Sequence, residues 1–216
     1  MKKVHIIFLL FFATGSAFGE GIQFGVHFDP TLVWLESFEK TKVAPEGSHL
    51  GFDFGVSADF YFAKNYAFAT GVSLFNTGGK LKYINGFNLA GTDLSQNTTV
   101  TYRVQYVKIP VGLRFKTHRI GRMIYSANIG FAPMIRASGH AEIPNNDNLE
   151  IKDEIRLFNL GWRFGGLAAY SLGGDAAIFG GLSFMNSFID MTKSGGQHTP
   201  GKITSKNLML RVGVMF

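Results

Sequence analysis

The sequence predicts an all-β fold: a transmembrane antiparallel up-and-down β-barrel of eight strands, with long outer loops and short periplasmic turns. Three observations predict it. Apolar residues recur with a period of two rather than 3.6, the connections alternate between long and short, and an apolar leader precedes the first alternating segment.

The leader comes first. Lys2 and Lys3 form a positive start, Val4 to Phe12 is apolar apart from His5, and small residues follow from Ala13 to Gly19. That is the pattern of a cleavable secretory signal peptide, expected at residues 1–19, with the barrel domain at 20–216. The apolar run falls short of the roughly 20 residues a spanning helix requires.

Alternation then sets the strands. Leu50, Phe52, Phe54, Val56, Ala58, Phe60 and Phe62 share one face, with Gly51, Asp53, Gly55, Ser57, Asp59 and Tyr61 on the other. Successive side chains of a strand point to opposite faces, so this period is a strand. Its length suits a tilted spanning strand of about 9–11 residues. The same pattern marks Ile22–Asp29, Ala67–Leu74, Lys108–Phe115, Tyr125–Phe131, Phe158–Gly165 and Asn207–Phe216. Ala176–Phe184 is a weaker seventh strand whose pattern does not set its facing. In the fourth segment Val100, Tyr102, Val104 and Tyr106 lie on even positions, whereas Ile109 to Phe115 lie on odd ones. A one-residue shift flips a strand's facing. The expectation is therefore a β-bulge near Tyr106-Val107, or an upper half above the membrane with different facing rules.

Residues 63–65, 117–122 and 172–175 are short connections, whereas 36–49, 76–98, 137–154 and 187–202 are long and polar. Short turns on one rim and long loops on the other is the plan of outer-membrane barrels.

The composition of the two faces chooses lipid over a soluble core. The chain has 22 Phe and 27 Gly, and only 17% of its residues are charged, against about 25% in soluble domains. The Phe-, Leu- and Val-rich face carries hardly a charge, whereas the outside of a soluble barrel would carry many. Trp34, Tyr61, Tyr66, Tyr106, Phe115, Tyr125 and Tyr170 fall near strand ends, where amphipathic rings suit the headgroup level. The net charge is +6, and without Lys2 and Lys3 the remaining 19 basic residues still exceed the 15 acidic ones. The basic residues are scattered rather than clustered, so no nucleic-acid partner is expected. No Cys is present, which excludes thiolate chemistry and a lipidated cysteine.

The sequence Tyr106-Val107-Lys108-Ile109-Pro110-Val111-Gly112-Leu113-Arg114 resembles the PorT-like outer-membrane β-barrel family of the Bacteroidetes. Tyr125–Ala132, Phe158–Gly166 and Asn207–Phe216 agree with it. Gly112 departs from the family's pattern, in which a bulkier aliphatic is common. The resemblance implies an outer-membrane barrel, integral after signal-peptide cleavage, and connects it to type IX secretion and gliding through the family's namesake. The terminal Phe216 on an alternating strand resembles the signal read by the barrel-assembly machinery.

The candidate site is a lumen charge network of Asp29, Asp53, Asp59, Lys108, Arg114, Arg163 and Arg211. An eight-stranded barrel is just wide enough for side chains to fill it, and charges there must pair. Asp53 or Asp59 is expected to pair with Arg163 or Arg211. No catalytic residue, metal site or cofactor is expected. No Ser lies in a Gly-x-Ser-x-Gly elbow, and Asn145–Asn148 with Glu150 lacks the spacing of a Ca²⁺ loop. The expected role is structural, in interaction, or as a secretion accessory. Expected partners are outer-membrane lipid, the barrel-assembly machinery, and secretion-complex proteins or extracellular ligands at the outer loops. The alternatives are a lipid-modifying enzyme acting at the rim and a narrow passive channel.

Overall fold

The structure, a computed structural model, describes residues 21–39, 41–144, 146–192 and 202–216. The expected signal peptide lies outside these residues. Eight strand positions close into a ring. In chain order they are β1 (Ile22–Ser37), β3 (Ser48–Ala63), β4 (Tyr66–Tyr83), β7 (Thr98–Lys108) continued by β8 (Val111–Lys116), β9 (Met123–Ile143), β11 (Phe158–Gly173), β12 (Ala176–Ser187) and β13 (Ile203–Met215). Each pairs antiparallel with its neighbours, and β13 pairs back onto β1 through Val26↔Val214 and Phe28↔Val212. Short accessory strands β2 (Val43–Pro45), β5 (Phe87–Leu89), β6 (Thr92–Leu94) and β10 (Asn146–Glu150) lie in the outer connections.

Closure satisfies every strand edge, which lipid demands because no water is there to bond a bare N–H or C=O. Facing follows the alternation. Phe24, Phe54, Val72, Ile129, Leu182 and Leu210 are exposed on the outside, while Asp29, Asp53, Ser73, Asn128, Ser183 and Arg211 are buried inside. The seventh strand takes its facing from its neighbours: Ala177, Phe179, Ser183 and Met185 point inward, and Ile178 and Leu182 point outward.

The fourth strand keeps one facing throughout. Val100, Tyr102, Val104, Tyr106, Lys108 and Arg114 are all buried, so even positions point inward from end to end. The parity conflict in the sequence therefore comes from an upper half with different facing rules, not from a flip in this strand. Above the membrane the inward face is apolar and the outward face polar; below, the polarity reverses. The bulge lies across the ladder on β9, where Gln105 pairs Ser138 and Tyr106 pairs Arg136, leaving Ala137 extra. Beyond it β9 turns Gly139, Ala141 and Ile143 inward. Ile109-Pro110 interrupts the assigned strand without changing register, because Ser73↔Lys108 and Thr70↔Val111 keep equal spacing on both strands. Pro110 has no N–H to give the ladder, while the Ile109 N–H donates to the Pro133 carbonyl at 2.9 Å.

The expected loops 36–49, 76–98 and 137–154 are shorter than the sequence implied. Strand β4 continues to Tyr83 and β9 to Ile143. These extensions carry Thr77, Leu81, Tyr83, Ala141 and Ile143 inward. Their outward side chains are polar, as in the Arg103–Glu142 and Glu36–Lys206 ion pairs. The β5–β6 hairpin turns at Ala90-Gly91, both with positive φ, and the Asn88 side chain accepts the Gly91 N–H at 3.0 Å.

The aromatic girdle is partly corrected. Tyr66, Phe115, Tyr125 and Tyr170 are exposed near the short-turn rim, with Tyr66 and Phe115 edge to face at 5.7 Å. Tyr61 and Tyr106 are instead buried in the lumen, since each shares the inward parity of Asp59 and Lys108.

Two substitutions separate these regions. Leu81→Ala, inside the outer extension, is expected to destabilise the barrel by about 2–5 kcal/mol. Lys80→Ala, one residue away and exposed, is expected to change stability by less than about 0.5 kcal/mol. Urea titration of the refolded barrel in micelles reads both. Equal effects would mean the outer extension has no packed core.

Candidate functional site

The candidate site is the lumen, and it is filled in layers. The charged belt sits at mid-height. Asp53 accepts from the Lys108 ammonium, and Asp59 accepts from the Arg114 guanidinium. Asp29 Oδ2 lies 2.9 Å from Arg211 Nε, an ion pair by distance although that N–H does not point along the contact. All six of these side chains are buried. His27 stands between two of the carboxylates, with Nε2 3.9 Å from Asp29 Oδ2 and 4.0 Å from Asp53 Oδ2.

The pairing expected from sequence is corrected. Neither Asp53 nor Asp59 takes Arg163 or Arg211. Asp53 finds Lys108 and Asp59 finds Arg114, each two strand positions round the ring from its carboxylate. The reason is geometric: β4 between them presents only the small Ala67, Ala69, Gly71 and Ser73 inward, so β3 and β7–β8 reach each other across it. Arg211 on β13 meets Asp29 on the adjacent β1. Arg163 is left to the Asn128 side-chain carbonyl at 3.4 Å, with no carboxylate in ion-pair range among the described residues.

Above the belt lies an apolar core. Phe75, Leu81, Val104, Tyr106, Met134 and Met185 are buried there with Tyr83 and Tyr102. The two tyrosine hydroxyls are 2.6 Å apart, and Tyr83 stacks on Phe87 of the hairpin at 3.9 Å. Leu89 and Leu94 bring that hairpin onto the cluster, and Ile151, Ile155 and Met191 bring in the later loops. Arg136 fixes one of those loops by donating to the Lys152 and Ile155 carbonyls. Below the belt Leu167, Ala169, Ala177, Phe179 and Met215 form a smaller apolar cluster. Beside it a space of about 160 Å³ is lined by Gln23, Tyr61, Lys116 and Arg119.

The sequence reading missed the outer apolar core. Its signal was present in the even-numbered Val100–Tyr106 series and in Leu81 and Tyr83, set in segments otherwise polar enough to read as loops. It also missed the clustering of His27, Asp29 and Asp53, whose ligand-type atoms lie within 4.8 Å of one another. Lys108 and Arg211 already occupy these two carboxylates, so a cation there would sit against two positive charges, and we assign no metal. Of the polar quartet Asn145–Asn148, Asn145 lies outside the described residues.

A family model described as an outer membrane protein beta-barrel domain matches residues 12–193. The chain belongs to that family. It is an integral protein of the bacterial outer membrane. The barrel is similar to a major outer membrane protein from Thermus thermophilus, with 18% identity over 91% of this chain and 99% of that one and a TM-score of 0.50. It is also similar to OprG from Pseudomonas aeruginosa, with 10% identity over 90% and 94% of the two chains and a TM-score of 0.48. Neisserial surface protein A matches at 14% identity over 91% and 98%, with a TM-score of 0.45. At 18% identity the likeness to the Thermus protein speaks to fold alone. None of the curated proteins matches the chain.

Asp53→Asn would leave the Lys108 ammonium buried without its counter-charge, which is expected to destabilise the barrel by about 3–5 kcal/mol. Asp53→Leu combined with Lys108→Met should recover most of that loss, because the charge and its partner leave together. Urea unfolding of the two variants checks this. A double variant no more stable than the single one would show that the pair is not what the belt depends on.

Proposed function

We propose that this barrel is a non-conducting, non-enzymatic outer-membrane protein that presents its outer strand extensions and loops to partners, as a structural, interaction or secretion-accessory component. The observation that carries the reading is the filling of the lumen by the mid-height ion pairs and the outer apolar core. A continuous aqueous path would have to cross both, and the outer core excludes water as a protein interior does. His27 is buried deep in the belt, away from either rim. The seven belt residues then serve to hold the lumen shut and the strand register fixed.

The finer placement rests on sequence. The Tyr106–Arg114 segment supports membership in the PorT-like group of the Bacteroidetes, with cleavage of residues 1–19 on export and assembly directed by the Phe216 strand. That placement makes proteins of the type IX secretion complex the first partners to test.

Planar-bilayer recording of the purified barrel is expected to show no stepwise conductance in 1 M KCl. Steady single-channel steps would overturn the closed-lumen reading. For the accessory role, a strain lacking the gene is expected to lose most of the type IX cargo from its medium while its lipid A profile stays unchanged. Unaltered secretion would remove the accessory role, and an altered lipid A profile would favour enzymatic action.

A further inference from the structure

The belt is not electrically balanced. Three carboxylates, Asp29, Asp53 and Asp59, face four cations, Lys108, Arg114, Arg163 and Arg211, even with His27 neutral. Arg163 is the cation left over, and its neighbour is an amide oxygen rather than an acid. Arg163 is only partly buried, but a cation set beside other cations with no counter-charge of its own is unfavourable.

Beside Arg163 lies a cavity of about 20 Å³, bordered by His27, Ser57, Arg114, Asn128 and Arg211. That is about the room one water-sized particle occupies. Two N–H groups on nine-tenths-buried side chains of its wall have no protein acceptor, the Asn128 Nδ2 amide and the Arg114 Nε. Two glycines, Gly112 and Gly130, are also in its wall. Gly112 pairs directly with Gly130 across β8 and β9. A Cβ on Gly112 would come within 2.8 Å of Gly130 Cα, and one on Gly130 within 2.6 Å of Gly112 Cα. Gly112, the position where the chain departs from the PorT-like pattern, therefore has a local reason to lack a side chain.

We propose that this cavity binds one small monatomic anion, a halide such as chloride, held by Arg163 and Arg211 with the Asn128 amide and Arg114 Nε as donors. The ion supplies the missing negative charge, and it accepts from N–H groups that no carboxylate reaches. The room suits a monatomic ion more closely than sulfate or phosphate. The proposal rests on the filled lumen described above.

Two measurements test it. The first is the unfolding midpoint from the heat-modifiable gel shift, in chloride or bromide against gluconate at constant ionic strength. The wild-type midpoint should rise with halide and saturate. Arg163→Lys should keep a weaker response, and Arg163→Met should lose it. The second is bromide soaking of wild-type crystals, which needs no variant to fold and should give an anomalous peak between Arg163 and Arg211. A halide response equal in wild type and Arg163→Met, or a bromide-soaked crystal with no peak in this cavity, would overturn the proposal. Bilayer recording on the same preparation reports separately on closure: steps with a halide peak sink the closed lumen alone, and silence without a peak sinks the anion site alone.

Discussion

The rest of the structure depends on closure of the backbone ladder between the first and last strands. At that seam the Phe24 and Phe216 backbones exchange N–H···O bonds at 3.0 and 2.9 Å. With the ring shut, neither the first nor the last strand presents a bare edge, and hydrocarbon tolerates the outside. Closure on eight strands also fixes the bore, which leaves room for side chains and little else. Lumen composition is therefore a packing problem before it is a functional one.

The barrel solves that problem in two chemically different ways along one axis. At mid-height it uses short ion pairs across strands whose inward positions are Gly, Ala and Ser, so that long cationic side chains can reach. Above, it uses the packing of an ordinary protein interior, with tyrosine hydroxyls satisfying each other. The charged layer contributes little net stability for its burial, because desolvation offsets the attraction. Its members are nonetheless intolerant of single removal. The apolar layer is the larger source of stability per residue.

Much of this was legible in the sequence where one periodicity had one meaning. The strands Ile22–Asp29, Leu50–Phe62 and Asn207–Phe216 show a single contrast between faces, and the structure places them as read. The fourth strand was ambiguous because two solvents act on it: Val100–Tyr106 turns its apolar face in and Leu113–Phe115 turns its apolar face out. Alternation reports which side chains share a face, not which medium that face meets. Belt membership could be read because inward parity is local. The belt's partners could not, because Asp53–Lys108 and Asp59–Arg114 span a strand whose small side chains matter only once the ring has closed. The bulge at Ala137 was likewise hidden, since it lies on the partner of the strand that showed the conflict.

The reversal of polarity along the strands also fixes where the barrel stands against the bilayer. Sliding it inward by one residue pair, about 3.3 Å of strand, would carry the outward Arg103 and Glu142 toward hydrocarbon. Sliding it outward would lift Ile135, Phe158 and Leu208 into water. Charge transfer into the hydrocarbon is steep in depth, whereas the bilayer itself yields for fractions of a kcal/mol per Å. The lipid is therefore the softer partner, and a membrane of the wrong thickness will deform around this protein before the protein changes its height.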